Sequence, residues 1–176
     1  MSLPDTGAEN NLCGGIPFAD VVERHWKAVY RLVYRLTGSA HDADDLTQET
    51  FLRALGRRDT FRSGTNMRAW LMTIASNALF DLQRRRKTAR PVPLDGDLAQ
   101  GDGPEAGPAE QAELNGLLAD AIARLPQTQR AVFLLRSQEG LSFREIAGAL
   151  DLTEETARWH MLQARRQLLA QLDGQL

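Results

Sequence analysis

The segment spanning residues 88–112 constrains the fold most, because it divides the sequence into two helical parts. It reads TARPVPLDGDLAQGDGPEAGPAEQA and is rich in Gly, Pro, Ala and acidic residues, without sustained hydrophobic periodicity. Such a composition cannot bury enough apolar surface to fold by itself. The sequence therefore predicts an all-α protein with two small helical domains, at 17–87 and 113–173, joined by a flexible acidic linker. Residues 1–16, which contain Cys13, are expected to form a disordered leader.

The composition excludes several classes of protein. A hydrophobic content of 43% is enough to build small cores, and a formal net charge of −2 argues against a protein that coats nucleic acid indiscriminately. Any contact with DNA must therefore come from local basic patches. No apolar run approaches the length of a membrane span, and the N-terminus lacks the basic and apolar regions of a signal peptide. We therefore expect a cytoplasmic protein that has no membrane partner.

Candidate residues for catalysis and metal binding are scarce. The single cysteine, Cys13, allows neither an internal disulfide nor a multi-cysteine zinc site. His25 and His41 lie on separate predicted helices, without cysteine or carboxylate partners at ligand spacing. The sequence has no activated Ser or Cys constellation, no Gly-rich phosphate loop and no strand pattern. We therefore expect no cofactor, no metal and no enzymatic activity of the chain itself.

The second predicted helix presents two contrasting faces. Gly38 is placed to end the first helix and Ser39 to cap the second. Helical periodicity assigns one set of side chains to the buried face: Ala43, Leu46, Thr50, Phe51 and Ala54. The opposite face carries a group that we name the acidic surface: Asp45, Gln48, Glu49 and Leu52. It is typical of a protein-docking surface, although a solvated helix face with one stray leucine is the simpler interpretation.

The third predicted helix combines a buried stripe with a surface suited to a nucleic-acid strand. The stripe consists of Met67, Trp70, Leu71, Ile74, Ala78 and Leu82. The other face offers groups that can stack on bases and bind phosphates: Thr73, Ser76, Asn77, Phe80 and Arg84. The helix ends in four consecutive cations: Arg84, Arg85, Arg86 and Lys87. Cations also complement the dipole at a helix C-terminus, but four exceed what that role needs.

The stretch 141–166 has the pattern of a helix-turn-helix unit. Ser142 and Glu145 form a capping box that opens a short helix, and Thr153 can cap a second helix after Asp151 interrupts the apolar rhythm. The second helix would enter a major groove. Its groove-facing residues would be Thr156, Arg158, Trp159 and His160, with Arg165 and Arg166 further along for phosphates. A structural helix hairpin without a DNA partner is the alternative, because such hairpins are common in all-α proteins.

Three motifs in sequence order resemble those of a known family. They are DADDLTQETFLRAL at 42–55, MRAWLMTIASNALFDLQRRR at 67–86, and ARLPQTQRAVFLLRSQEGLSFREIAGALDLTEETARWHMLQARRQL at 123–168. With the acidic linker between the second and third, the chain resembles a bacterial extracytoplasmic-function (ECF) sigma factor, the minimal two-domain form of the sigma-70 family. The resemblance covers nearly all of residues 18–172. It implies an RNA polymerase sigma factor that recognises promoters, melts them and starts transcription.

The resemblance also implies roles for the surfaces described above. The β′ clamp helices of core RNA polymerase would dock on Asp45, Gln48, Glu49 and Leu52. The promoter −10 element, captured as unstacked bases, would contact Thr60, Phe61, Arg62, Ser63, Thr73, Asn77, Phe80, Arg84, Arg85, Arg86 and Lys87. The −35 element, read as duplex, would contact Thr156, Arg158, Trp159, His160 and Arg165. The second domain would also touch the β flap, and an anti-sigma factor is an expected partner.

The chain departs from the family in its recognition helix. Where the family commonly has a small hydroxyl residue followed by arginine, this chain has Trp159 and His160. A neutral His offers one hydrogen bond in place of a bidentate guanine contact, so the sequence indicates an unusual −35 element or weaker reliance on it. Burial of Trp159 within its own domain is an open alternative.

Two other functions fit parts of the sequence. A sigma-like decoy would sequester an anti-sigma factor without directing transcription, but it would leave the basic cluster at 84–87 without a purpose. A free-standing helix-turn-helix repressor would leave the first domain unexplained.

Overall fold

The computed structural model describes residues 15–62, 64–89 and 109–173, and these residues form an all-α protein. The helices are α1 Phe18–Thr37, α2 Ala40–Gly56, a short 3-10 turn Arg58–Thr60, α3 Met67–Ala89, α4 Ala109–Ala123, α5 Gln127–Ser137, α6 Phe143–Leu150 and α7 Glu154–Asp173. No β-strand occurs in this described part of the chain. The fold class expected from the sequence is confirmed.

Helices α3 and α4 each extend by a few residues into the predicted linker segment. α3 continues to Ala89 and α4 begins at Ala109, because the residues at both ends of the predicted segment include good helix formers. Residues 90–108 lie outside the described residues, and so do residues 1–14 of the predicted leader with Cys13. The domain boundaries and the leader therefore stay predictions.

The N-terminal domain is a three-helix unit of α1, α2 and α3. The end of α1 and the start of α2 lie where the sequence predicted them. Gly38 ends α1 in the left-handed conformation, with a φ of 70°, and its N–H donates to the Tyr34 carbonyl at 2.8 Å. The Ser39 hydroxyl accepts the Asp42 N–H at 3.2 Å and so caps α2. The predicted buried face of α2 is confirmed, since all five of its side chains are buried: Ala43, Leu46, Thr50, Phe51 and Ala54.

Helix α3 is buried over more of its circumference than its predicted stripe. Of that stripe, Leu71, Ile74 and Ala78 are buried, and the other members are half-buried. A second buried set, which we name the outer stripe, lies beside it: Ala69, Met72, Ser76 and Leu79. α3 packs against α1 and α2, and also against α6 of the C-terminal domain. The outer stripe was not predicted, because the sequence argument treated the two domains as independent.

The C-terminal domain consists of α4 to α7, and α6 and α7 form the predicted helix-turn-helix unit. The Ser142 hydroxyl accepts the Glu145 N–H at 3.2 Å, and the Glu145 carboxylate accepts the Ser142 N–H at 2.7 Å. The predicted capping box is therefore present. Asp151 takes the left-handed conformation, with a φ of 55°, and ends α6. The Thr153 hydroxyl then accepts the Thr156 N–H at 3.1 Å at the start of α7.

Two further observations on the described residues concern membrane spans and metal sites. None of them combines the length and hydropathy needed to span a membrane. Among the side chains that the structure describes, no group of His, Cys, Asp and Glu is arranged to hold a metal ion.

Candidate functional site

The acidic surface lies on the outer side of α2. Leu52 is 70% exposed, and Asp45 and Gln48 are exposed beside it. Glu49 is half-buried, because the Arg53 guanidinium binds its carboxylate at 2.5 Å while also binding a carboxylate of α3 at 3.1 Å. These ion pairs fix one edge of the surface against α3. The structure therefore brings the four predicted residues together on one helix, and the partner that they bind stays a prediction.

An apolar groove that the sequence did not predict runs beside Leu52. It is lined by Phe18, Val22, Trp26, Gln48, Phe51, Leu52 and Leu55. The Trp26 and Phe51 rings stack at 5.5 Å, and the Phe18 ring meets Phe51 edge-on at 6.4 Å. The spacing of Phe18, Val22 and Trp26 along one edge of α1 was the available signal, but helical periodicity alone does not distinguish a groove from a core. A protein docked on α2 would meet this groove as well as carboxylates.

The predicted strand-binding face of α3 is accessible along one edge and covered along the other. Asn77 and Phe80 are half-buried and keep part of their surface open to solvent. Thr73 is also half-buried, and its hydroxyl donates to the Ala69 carbonyl at 2.8 Å. Ser76 is fully buried, and its hydroxyl has no hydrogen-bond partner among the described residues. An amide and an aromatic ring therefore remain for contacts with bases, whereas Ser76 does not.

The connection between α2 and α3 offers fewer side chains for contacts with DNA than the sequence predicted. Phe61 is only 4% exposed, and its ring packs on Trp70 at 5.3 Å. It therefore belongs to the core and cannot stack on a base in this conformation, which corrects the prediction for this residue. A phenylalanine can pack in a core or stack on a base, and a short loop has no periodicity that would tell these two roles apart. Thr60 and Arg62 are exposed, and Ser63 lies outside the described residues.

The cations at the end of α3 fall into two groups. The Arg86 guanidinium donates two hydrogen bonds to the Asp42 carboxylate, at 2.7 and 3.0 Å, which raise its pKa and tie α3 to the start of α2. Arg84 is 81% exposed and pairs with a neighbouring carboxylate, and Arg85 is exposed. The Lys87 side chain lies outside the described part of the structure. Arg84 and Arg85 are therefore better placed than Arg86 to bind phosphates.

The predicted groove-facing residues of α7 differ in their exposure to solvent. Arg158, Trp159 and Arg165 are exposed, and Trp159 is 53% exposed. A buried Trp159, the alternative left open by the sequence, is not what the structure shows. Thr156 and His160 are half-buried, and the His160 ring meets the Trp159 ring edge-on at 5.0 Å. Burial lowers the pKa of His160, so its imidazole is neutral near pH 7, and its Nδ1 atom has no hydrogen-bond partner within the described structure.

Phe143, which sequence reasoning missed, contacts Arg158. The Arg158 guanidinium lies 4.8 Å from the centre of the Phe143 ring, and the Arg136 guanidinium lies 5.0 Å from the same centre. Arg158 also pairs with Glu154, and Arg136 donates to the Leu141 carbonyl at 2.9 Å. The Phe143 ring therefore carries two cations beside the exposed face of α7. An aromatic residue directly after the predicted N-cap of α6 was the only sequence signal.

Family profiles match both domains. The profile described as "Sigma-70 region 2" matches residues 21–89, and the profile described as "Sigma-70, region 4" matches residues 115–168. The first match contains the acidic surface and the strand-binding face, and the second contains the helix-turn-helix unit. Each family region therefore coincides with one structural domain.

Solved structures share the fold. The sigma factor RpoE in its complex with the anti-sigma factor NepR from Bartonella quintana superposes with a TM-score of 0.74 at 23% identity, covering 89% of this chain and 96% of that one. The structure of CnrH in complex with the cytosolic domain of CnrY gives a TM-score of 0.63 at 28% identity, covering 89% of this chain and 88% of that one.

Curated relatives carry the same family designation. The ECF RNA polymerase sigma factor SigE of Mycolicibacterium smegmatis is 36% identical over 152 residues, which cover 85% of this chain and 59% of that protein. The ECF RNA polymerase sigma factor SigW of Bacillus subtilis is 30% identical over 168 residues, which cover 88% of each chain. The chain thus spans nearly the whole of one relative and about three fifths of the other. On these matches to both of its domains, the chain belongs to the ECF family of RNA polymerase sigma factors.

Proposed function

We propose that this protein is a promoter-specificity subunit of bacterial RNA polymerase that works in the cytoplasm. It binds core enzyme and promoter DNA, and the chemistry of RNA synthesis belongs to the polymerase. One observation carries the proposal: the region 2 and region 4 matches fall on two separate helical domains in the order of the family.

The first domain supplies the contact with core polymerase. The exposed carboxylate of Asp45 and the exposed Leu52 side chain offer charge and apolar area to the β′ clamp helices. Glu49 has a second role, because its pairing with Arg53 connects α2 to α3, the helix that meets DNA. Docking on this surface therefore places α3 relative to the polymerase active centre.

The two domains divide promoter recognition. On α3, Asn77 and Phe80 would receive unstacked −10 bases, while Arg84 and Arg85 would hold adjacent phosphates. Extruding a base costs on the order of a few kcal/mol, which stacking and hydrogen bonding must offset. The exposed side of α7 would read the −35 element as duplex in the major groove. One domain thus sets the register on DNA, and the other captures the melted strand.

An anti-sigma factor would regulate this activity by covering these surfaces. Two structurally similar proteins were solved as complexes, RpoE with an anti-sigma factor and CnrH with a cytosolic domain of CnrY. The apolar groove beside Leu52 offers a partner helix a floor of aromatic rings next to the docking site for polymerase. A helix seated there would compete with core enzyme for α2.

Run-off transcription tests the function. Purified bacterial core RNA polymerase is combined with this protein and a pooled library of upstream fragments from the source genome. We expect discrete transcripts that depend on the protein, and their sequences would give the −35 and −10 elements. Core binding without transcripts would favour a sigma-like decoy, and the absence of core binding would overturn the proposal.

The acidic surface gives a sharper prediction. Asp45→Lys combined with Gln48→Ala should weaken binding to core polymerase at least tenfold, since it reverses a charge in the centre of a docking surface, a loss of about 1.4 kcal/mol. Fluorescence titration against core enzyme measures the effect. Glu23→Lys with Gln138→Ala, at exposed positions away from this surface, is the matched control. Unchanged affinity in the first variant would remove the assignment of α2.

A further inference from the structure

Three ion pairs join separate elements within the described residues, and two of them involve the C-terminal half of α3. They are Arg53 with Asp81 at 3.1 Å, Arg86 with Asp42 at 2.7 Å, and Arg68 with Glu139 at 2.6 Å, which joins α3 to the turn after α5. The first two join α3 to α2. Each of them places a carboxylate next to a cation from the cluster that the sequence assigned to DNA phosphates.

Asp42 holds the guanidinium of Arg86 with both of its oxygen atoms. The two terminal nitrogens of Arg86 donate to these oxygens at 2.7 and 3.0 Å, and the Asp42 side chain is only 15% exposed. A guanidinium binds a phosphate through the same bidentate geometry. The Arg86 side chain is 50% exposed, so a DNA backbone can approach it. The Asp42 carboxylate therefore occupies the hydrogen-bond donors that a phosphate would use.

Asp81 divides its carboxylate between two arginines. Its Oδ1 atom accepts a hydrogen bond from Arg84 at 2.9 Å, and its Oδ2 atom accepts one from Arg53 at 3.1 Å. Arg53 also binds Glu49, so it is held between two carboxylates. The charges of Asp42 and Asp81 thus offset two of the three positive charges at positions 84–86.

This pairing weakens one component of DNA binding and leaves another intact. A cation that neutralises a phosphate releases counterions and adds affinity for any sequence, whereas contacts with bases distinguish one sequence from another. An arginine that must first give up a carboxylate gains less from a phosphate. The Asn77 and Phe80 side chains, which would contact bases, are not members of these ion pairs.

We propose that Asp42 and Asp81 are positioning residues that compete with DNA phosphates for Arg86 and Arg84, and so limit sequence-independent binding at the end of α3. This inference rests on the proposed function, since it concerns the helix that binds the −10 region. Stable binding at this end then requires the base contacts of Asn77 and Phe80 in addition to charge. DNA that lacks suitable bases is held only weakly.

Asp42→Asn tests the proposal with a side chain of nearly the same shape. The cap of α2 uses the Asp42 N–H and not its carboxylate, so the helix content measured by circular dichroism should be unchanged. Binding of the full chain is measured by fluorescence anisotropy with a labelled random-sequence duplex over a series of salt concentrations. We expect Asp42→Asn to bind about three- to tenfold more tightly at low salt, with a logarithmic salt slope steeper by about 0.9, the value for one further phosphate contact.

Asp44→Asn is the matched control, because it removes the same charge at an exposed position of the same helix. Loss of a charge that holds no arginine acts only through the screened long-range field, so the gain should stay below about twofold and the salt slope should stay that of the wild type. A gain and a slope for Asp44→Asn that equal those of Asp42→Asn would overturn the proposal.

A double-mutant cycle with Arg86→Gln identifies the residue through which Asp42 acts. Arg86→Gln should weaken binding less than about twofold in the wild type, where Asp42 holds Arg86, and about three- to tenfold in Asp42→Asn. Asp81→Asn with Arg84→Gln repeats the cycle at the second carboxylate, so a folding defect in one pair leaves the other as the test. Additive effects in either folded pair would overturn the proposal.

The experiment separates this inference from the proposed function, because it contains neither polymerase nor a promoter. Unchanged binding by Asp42→Asn, including no binding by any variant, would overturn the inference and leave run-off transcription as the test of the function. Tighter binding with a steeper salt slope that depends on Arg86 would establish it.

Discussion

Trp159 is 53% exposed on α7, the helix that would enter the major groove in the proposed function. An indole ring can contact thymine methyl groups in the major groove, but it cannot form a bidentate pair with guanine. We predict that Trp159→Ala changes base preference within the −35 element and lowers affinity for the preferred duplex by about 1 kcal/mol. Because the side chain is largely exposed, the free energy of unfolding should change by less than about 0.5 kcal/mol.

Selection from duplexes with randomised −35 positions, carried out with wild type and variant, measures the change in preference. Urea denaturation measures the stability. Leu169→Ala serves as control, because Leu169 is 61% exposed further along the same helix. The same selected sequence for wild type and Trp159→Ala would show that the indole does not read bases.

Phe143 is a second single residue with a testable role, because its ring contacts two guanidinium groups. Phe143→Leu keeps an apolar side chain but removes the ring that both Arg136 and Arg158 contact. We predict a loss of about 0.5–1 kcal/mol in duplex binding, or about two- to fivefold in affinity, since exposed cation–π contacts are worth that much. Phe143→Tyr, which retains the ring, should bind like the wild type in a salt-controlled anisotropy titration. A wild-type affinity for Phe143→Leu would show that Arg158 needs no support.

Individual helices are where the sequence predicted best. Gly38, Ser39, Ser142 and Thr153 mark helix ends in the structure as they do in the sequence, because capping depends on residues within a few positions of one another. Side chains that could serve two roles were harder to place. Phe61 was predicted to meet DNA and lies in the core, and Phe143 was not selected although it contacts two arginines.

The capping box of α6 should contribute measurably to the free energy of unfolding. Ser142→Ala should lower the free energy of unfolding by about 1 kcal/mol at pH 7. The Ser142 N–H and hydroxyl groups hold the pKa of Glu145 below its ordinary value, so the carboxylate's contribution is complete above about pH 4.5 and is lost as the pH falls through the lowered pKa.

Urea denaturation of wild type and variant at a series of pH values tests both effects. The difference between the two proteins should shrink as the pH falls below the ordinary pKa of a glutamate, because the wild type then loses the same interaction. Ser137→Ala, at the exposed end of α5, is the control. A difference that is independent of pH would mean that the Glu145 carboxylate takes no part in the cap.

At the scale of the whole molecule, the sequence predicted two domains but not their contact. Arg68 and Glu139 are 71 residues apart, and Gln83 and Gln127 are 44 residues apart, so no local pattern joins them. One signal was present in α3, where Met72 and Leu79 add a second apolar stripe beside the predicted one. A helix that is apolar on two sides has two neighbours. An acidic linker, by contrast, indicates nothing about whether the domains that it joins meet.

Two adjacent residues of α3 should therefore differ in their effect on stability. Leu71 and Met72 are both completely buried, but Leu71 belongs to the predicted stripe and Met72 to the outer stripe. We predict that Leu71→Ala lowers the free energy of unfolding by about 2–5 kcal/mol, and Met72→Ala by less than half as much, because a contact between two domains costs less free energy to open than the core of one domain. Chemical denaturation followed by circular dichroism measures both. Equal losses would indicate that the outer stripe belongs to a permanent core.

The contact between α3 and α6 joins two parts of one chain, and this connection affects how strong the contact must be. Two surfaces on one chain meet at an effective concentration on the order of millimolar, so a contact too weak to form between separate molecules still forms within one. The joined domains therefore need no strong interface to stay in contact. If the chain were cut between α3 and α4, a contact of that strength would no longer hold the two halves together at micromolar concentration. The peptide connection would then set the arrangement of the two domains as much as the side chains between them do.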